Sequence, residues 1–175
     1  MTEKSKHRSR GEGFVAFILN RCQRDKGEAA RLRRADNPAT EYQSWETLAA
    51  FGIDLEKPWE RLPFACIAAS LARGKMEQDG SHGIGQALAG CYEDGNQSDQ
   101  ARARLRRLLA CDSVEEACRI LRSLLSLTAS RGRYPLNHAR LLNDLLRFHW
   151  RSQEIKAHWA QDFYRRRQEA KEQQP

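Results

Sequence analysis

The residues of this chain whose types could support metal or nucleophilic chemistry are five histidines and five cysteines, and their spacing favours neither. His149 and His158 flank Glu154, but nine positions apart on one helix they point to opposite sides. A zinc pair on a helix needs a spacing of four. His158 and Asp162 have that spacing, yet two groups are too few for a catalytic zinc site, and an exposed polar pair accounts for them. His82 precedes Gly83-Ile84-Gly85, which lacks both the preceding strand and the Gly-Lys-Ser/Thr ending that cradle phosphates. Cys22, Cys66, Cys91, Cys111 and Cys118 form no Cys-x-x-Cys pair and fall mostly on apolar helix faces, so they read as small buried hydrophobes. No catalytic residue, metal ligand or cofactor is expected.

The cations are more informative. Thirty Lys and Arg against twenty-three Asp and Glu give a net charge of +7, most of the excess being arginine. The pI is near 9.4. Such an excess favours a polyanionic partner, most often nucleic acid, through phosphate contacts and counterion release. The imbalance is also local: Lys26, Arg31, Arg33 and Arg34 are offset mainly by Glu28, the run from Arg102 to Arg107 has no acid inside it, and neither does the loop holding Arg131 and Arg133. A guanidinium suits this role because its planar fork meets phosphate oxygens and can stack on a base. No zinc finger, RNA-recognition motif or recognition helix for base reading is present, so backbone-directed binding is expected.

These side chains must be carried by helices. No run alternates as a strand does, and the expected class is all-α, two small helical bundles joined by a short linker. Residues 1–12 are expected as a disordered basic tail, 13–96 as an N-terminal bundle, 97–170 as a C-terminal bundle and 171–175 as a frayed end, with the boundary in the polar connector Cys91–Gln97. The centre of the chain is expected at Gln100–Thr128. There an α-hairpin buries Ala101, Leu105, Leu108 and Leu109 on its first helix and Val114, Ala117, Cys118, Leu121, Leu124 and Leu125 on its second, with Ser113 as N-cap of the second. A helix over Thr40–Phe51 should bury Tyr42, Trp45, Leu48 and Ala49, and the next should turn Trp59 inward with Pro63 in its first turn. Two closing helices should meet near Trp150, the first burying Leu142, Leu145, Leu146 and His149 beneath a polar strip of Arg140, Asp144, Arg147 and Arg151, the second aligning Ile155, Trp159 and Phe163.

Three blocks, KGEAARLRRA (26–35), GIGQALAG with RARLRRLLACDSVEEACRILRSLLSLT, and YPLNHARLLNDLLRFHW with IKAHWAQDFY, resemble the small subunit of the type I-E CRISPR Cascade complex, the CasB family. The resemblance covers about Phe14 to Tyr164. It implies a non-catalytic, all-helical protein packed as two head-to-tail copies along a crRNA-guided complex, beside its backbone and large subunits, and helping to hold the displaced non-target strand. It also assigns Arg33 and Arg34 to the family's double arginine, and Arg151 and Lys156 to the basic cluster after its aromatic corner. Together the two lines of reasoning nominate Lys26, Arg33, Arg34, Arg102, Arg106, Arg131, Arg133, Arg151 and Lys156 as binding single- and double-stranded DNA without sequence preference. The chain has no run as apolar as a membrane span and its first residues are unlike a secretory signal, so a cytoplasmic location is expected. A free-standing helical regulator of DNA, or a scaffold without DNA contact, fits the same surface charge.

Overall fold

A computed structural model describes residues 8–165, and within them every regular element is helical. The helices are α1 (Arg10–Arg24), α2 (Lys26–Leu32), α3 (Trp45–Ala50), α4 (Pro58–Gly74), α5 (Ile84–Ala89), α6 (Asp99–Leu109), α7 (Val114–Arg131) and α8 (His138–Tyr164), with 3₁₀ turns at Glu41–Ser44 and Gly95–Gln97. The only extended pairing among the described residues is an isolated bridge between His82 and Leu136.

The helix the others surround is α4 rather than the α6–α7 hairpin. Ten consecutive residues, Pro63–Ala72, are buried. A helix apolar on all sides can satisfy itself only by being covered on all sides, and the run PFACIAASLA carries no charge. Helix α7 packs along α4, while α8 packs on both α5 and α1. The buried side chains form one continuous core, from Phe14, Ile18 and Phe64 through Leu105 and Leu121 to Trp159 and Phe163, spanning both sides of the connector at 91–97.

Several boundaries differ from those the sequence suggested, each for a local reason. Residues 10–12 belong to α1, not to a tail: Ser9 accepts from the Glu12 N–H while the Glu12 side chain accepts from the Ser9 N–H, a capping box that starts the helix. Of the expected tail, 1–7 lie outside the described residues, as do 166–170 of the expected C-terminal bundle and the frayed end at 171–175. Over Thr40–Phe51 the first turn is 3₁₀, which rotates the faces. Glu41, Ser44, Thr47 and Leu48 are buried, whereas Tyr42 is 60% and Trp45 38% exposed, and Ala49 is also exposed. Trp59 is 54% exposed rather than inward. Pro58 occupies the start of α4, so Pro63 sits inside the helix and not in its first turn. The two closing helices do meet as expected, at a sharp kink at Arg151 (φ −132°, ψ 27°), where the chain folds back so that Arg140 lies 3.0 Å from Asp162 and the Trp159 indole donates to Asp144. That kink places Phe148 in the core and leaves His149 at the surface.

The Ser113 cap is as expected: its side chain accepts from the Glu116 N–H at 3.1 Å. Ser113→Ala should therefore cost about 1 kcal/mol of stability. Urea unfolding checks this, and a loss under a few tenths would mean that water serves the helix end as well as the hydroxyl does.

Candidate nucleic-acid interface

The fold sorts the arginines into two groups that the sequence does not distinguish. Arg21 reaches buried Glu28 at 2.9 Å, Arg61 pairs with Glu41, Arg73 clasps Asp36, Arg140 lies 3.0 Å from Asp162 and Arg147 3.1 Å from Asp144. Each pairs with a carboxylate buried at the edge of the core; all but Arg147, whose partner lies one turn away on the same helix, join separate segments of the fold. Asp144, expected on a polar strip, is buried for this reason and also accepts from the Trp159 indole at 3.0 Å. Asp162 is likewise buried and not half of an exposed pair with His158; Arg140 lies between the two, 2.7 Å from the His158 ring.

The second group is unpaired. Among the described residues no carboxylate lies within ion-pair distance of Lys26, Arg33, Arg34, Arg102, Arg106, Arg131, Arg133 or Lys156. Arg151 is the exception, 3.4 Å from exposed Glu154. These nine side chains occupy four places. Lys26 opens α2, and Arg33 and Arg34 close it. Arg33 donates through Nε to the Ala72 carbonyl at 3.3 Å, while its own carbonyl accepts from Arg73 at 3.1 Å. Arg122 of α7 stands 3.7 Å from the Asp36 carboxylate that Arg73 clasps, so Arg73 and Arg122 share one acid.

Arg102 folds back on the 3₁₀ turn, donating to the Asn96 carbonyl at 2.9 Å and to Gln97, and Arg106 donates to the Arg102 carbonyl at 3.3 Å. Arg131 and Arg133 lie at the end of α7, where the Arg133 N–H meets the Gly90 carbonyl at 3.3 Å. Arg104 joins them: it and Arg131 both act electrostatically on the Cys91 thiol. Arg151 forms the kink of α8, and the Lys156 ammonium sits 5.8 Å from the Phe148 ring centroid. Reading residue spacing along the chain missed Arg73, Arg104 and Arg122 as members of these groups. Only Arg104 and Arg122 carried a signal, as exposed positions on helices already noted for arginine.

One arrangement with catalytic geometry does appear. Ser70 Oγ lies 3.0 Å from His138 Nε2, and His138 Nδ1 lies 2.9 Å from Asp79 Oδ1, the order of a serine–histidine–aspartate relay. Ser70 and His138 are each only 4% exposed, so the hydroxyl is packed among helices rather than open to solvent. The relay fastens α8 to α4 and to the 75–83 loop. Burial pushes the Asp79 carboxyl up, but hydrogen bonds from His138 and from the backbone N–H groups of Ala139 and His138 outweigh it and hold the pKa below its ordinary value.

Several thiols are held in the protonated form. Burial pushes Cys91 and Cys111 up, and Cys118 is raised well above the usual value by a hydrogen bond with Cys66 and by burial. No group of three or more His, Cys, Asp and Glu able to hold a metal ion occurs among the described residues. Gly83 and Gly85, expected not to form a phosphate loop, serve helix packing instead: a Cβ at Gly83 would meet Asp162 Oδ2 at 2.0 Å, and one at Gly85 the Trp159 carbonyl at 2.3 Å.

A family model described as CRISPR-associated protein Cse2 matches residues 28–164, most of the chain. The chain belongs to the Cse2 family. The match includes α4–α8 and all the nominated residues except Lys26. The Cse2-family fold is similar to the crystal structure of CasB from Thermus thermophilus, with TM-score 0.70 and 25% identity over 90% of this chain and 99% of that one. It is similar to that of M. ruber CasB, with TM-score 0.67 and 25% identity over 89% and 93%. CasB from Thermobifida fusca, at 17% identity and TM-score 0.65 over 89% and 96%, shares the fold. No curated protein matches the chain. No helix among the described residues is long and apolar enough to cross a membrane.

Proposed function

We propose that this Cse2-family chain is the non-catalytic small subunit of a crRNA-guided Cascade complex in antiviral defence, and that it holds the displaced non-target DNA strand through its phosphates without reading its bases. Its neighbours in this reading are the complex's backbone and large subunits, the crRNA and a second copy of itself. The carrying observation is the set of exposed cations that no carboxylate neutralises among the described residues, in a chain of this family. Exchanging one duplex for a heteroduplex is nearly balanced in free energy, so modest contacts to the freed strand can tip it. Contacts that ignore sequence suit a strand that differs at every target.

Arg33→Ala with Arg34→Ala tests this. DNA affinity at low salt should fall by similar factors for unrelated sequences, and the slope of log K against log salt should shrink by roughly two. Because Arg33 also bonds the Ala72 carbonyl, the unfolding midpoint of the double variant and the affinity of Arg34→Ala alone are measured beside it. An unchanged affinity, or a loss confined to one sequence, rejects the proposal.

A further inference from the structure

A groove of about 590 Å³ opens between the N-terminus of α1, the start of α4 and the middle of α8, lined by Arg10, Trp59, Asn143, Leu146, Arg147 and Trp150 among others. Its two indoles are 54% and 66% exposed, Trp150 being the most exposed large apolar side chain among the described residues. Two exposed indoles on one groove offer flat faces on which planar ligands can stack. Leaving Trp59 outside is a choice of the fold, since the same helix buries every residue from Pro63 to Ala72.

The charge around the groove is cationic on its exposed side. The Arg10 and Arg147 side chains are about half exposed (48% and 49%), whereas their acids are largely covered, Glu60 at 18% and Asp144 at 10%. A guanidinium has five N–H donors. Arg147 uses Nε on the Asn143 carbonyl and Nη2 on Asp144, and Arg10 uses Nη2 on Glu60, so among the described residues each keeps further N–H donors without a carboxylate or carbonyl partner. Arg8 precedes the lining residue Ser9 and Arg151 follows Trp150, both exposed, although Arg151 is paired with Glu154. Exposed indoles interleaved with arginines that retain free donors are the composition of single-strand binding surfaces, where bases stack and phosphates meet cations.

We infer that this groove is a base-stacking site for single-stranded nucleic acid, with Trp59 and Trp150 taking unpaired bases and Arg10 and Arg147 the adjoining phosphates. The inference rests on the function proposed above and adds to it a place that requires bases, whereas the arginines at the end of α2 require only phosphates. A duplex, whose bases are already stacked on each other, is excluded from it. The volume is that of clefts that seat small planar ligands.

Binding of the full chain to a thymidine oligonucleotide and to an abasic strand of equal length separates the two kinds of site. Trp59→Ala and Trp150→Ala should each weaken thymidine-strand binding by roughly five- to a hundred-fold and leave abasic binding unchanged. Both positions are exposed, so circular dichroism and melting should be those of the parent, and Trp150→Phe should restore part of the loss. Arg33→Ala with Arg34→Ala should weaken both strands by the same factor. Tryptophan variants that bind both strands like the parent overturn the inference while the arginine result leaves the proposed function standing. The same outcome with failed co-purification of partner subunits assigns the groove to a protein. A parent chain that binds neither strand overturns both.

Discussion

Gly85→Ala is expected to destabilise the fold by about 3 kcal/mol, at the upper end of what overpacking ordinarily costs. Gly85 lies in the first turn of α5, where that helix crosses α8. An added Cβ would stand 2.3 Å from the Trp159 carbonyl oxygen and 2.5 Å from the Phe163 nitrogen. Both are backbone atoms of a helix whose next layer is the core, so neither can swing aside as a side chain would. The helices must separate, and Trp159 and Phe163, each 1% exposed, then lose packing. For a protein of this size such a loss corresponds to a melting temperature roughly 6–12 °C lower. Gly13→Ala is the control. Gly13 is also helical, but the nearest atom to an added Cβ there is 3.8 Å away, so the gain in helix propensity, about 0.5–1 kcal/mol, should appear unopposed. Equal effects of the two substitutions would refute the close approach of α5 to α8.

Asp79→Ala is expected to cost a similar amount, about 3 kcal/mol, through three lost hydrogen bonds rather than through sterics. Asp79 accepts from the His138 and Ala139 N–H groups, each at 2.9 Å, and so satisfies the first turn of α8 from a loop some sixty residues away. Its Oδ1 also lies 2.9 Å from His138 Nδ1, which without it would be a buried polar atom lacking a partner. The pH dependence follows from the lowered Asp79 pKa. A carboxyl with a lower pKa folded than unfolded contributes its full stabilisation above the unfolded value and loses it as the pH falls through the folded one. The stability difference between the parent and Asp79→Asn should therefore be flat from neutrality down to about pH 4 and shrink below it. Denaturant unfolding at successive pH values measures that difference, and a gap that persists undiminished into strong acid contradicts the arrangement. Ser70→Ala, which removes only the far end of the relay, should cost less, about 1 kcal/mol.

The relay also shows why catalysis cannot be read from side-chain order alone. Ser70, His138 and Asp79 have the distances of a nucleophilic triad, yet the hydroxyl faces packed helices. In this protein the constellation is a fastener between α4, α8 and the 75–83 loop.

Much of the helical layout was legible along the chain because helix periodicity is local. The stripes Ala101–Leu105–Leu108 and Val114–Ala117–Leu121–Leu124 are buried as their spacing implies, Ser113 caps α7, and Ile155, Trp159 and Phe163 share the inner face of α8. Each judgement needs only residues within a turn or two of one another. The charge excess of the α2 end, of Arg102–Arg107 and of the Arg131–Arg133 loop was legible in the same way. Where a helix begins with 3₁₀ geometry, as at Glu41–Ser44, the period changes and the faces predicted for Tyr42 and Trp45 rotate out.

What the order of residues determined, then, is that the chain is helical, which stripes it buries and where its cations concentrate. Tertiary structure decided which cations remain free. The carboxylates that neutralise Arg61 and Arg73 come from 20 and 37 positions away, and the acid that caps α8 from 59. Charge interaction falls with distance in space and is indifferent to distance along the chain, so no window of neighbouring residues can count it. The same holds for Trp59 and Trp150, which share a groove only because α4 and α8 are packed side by side.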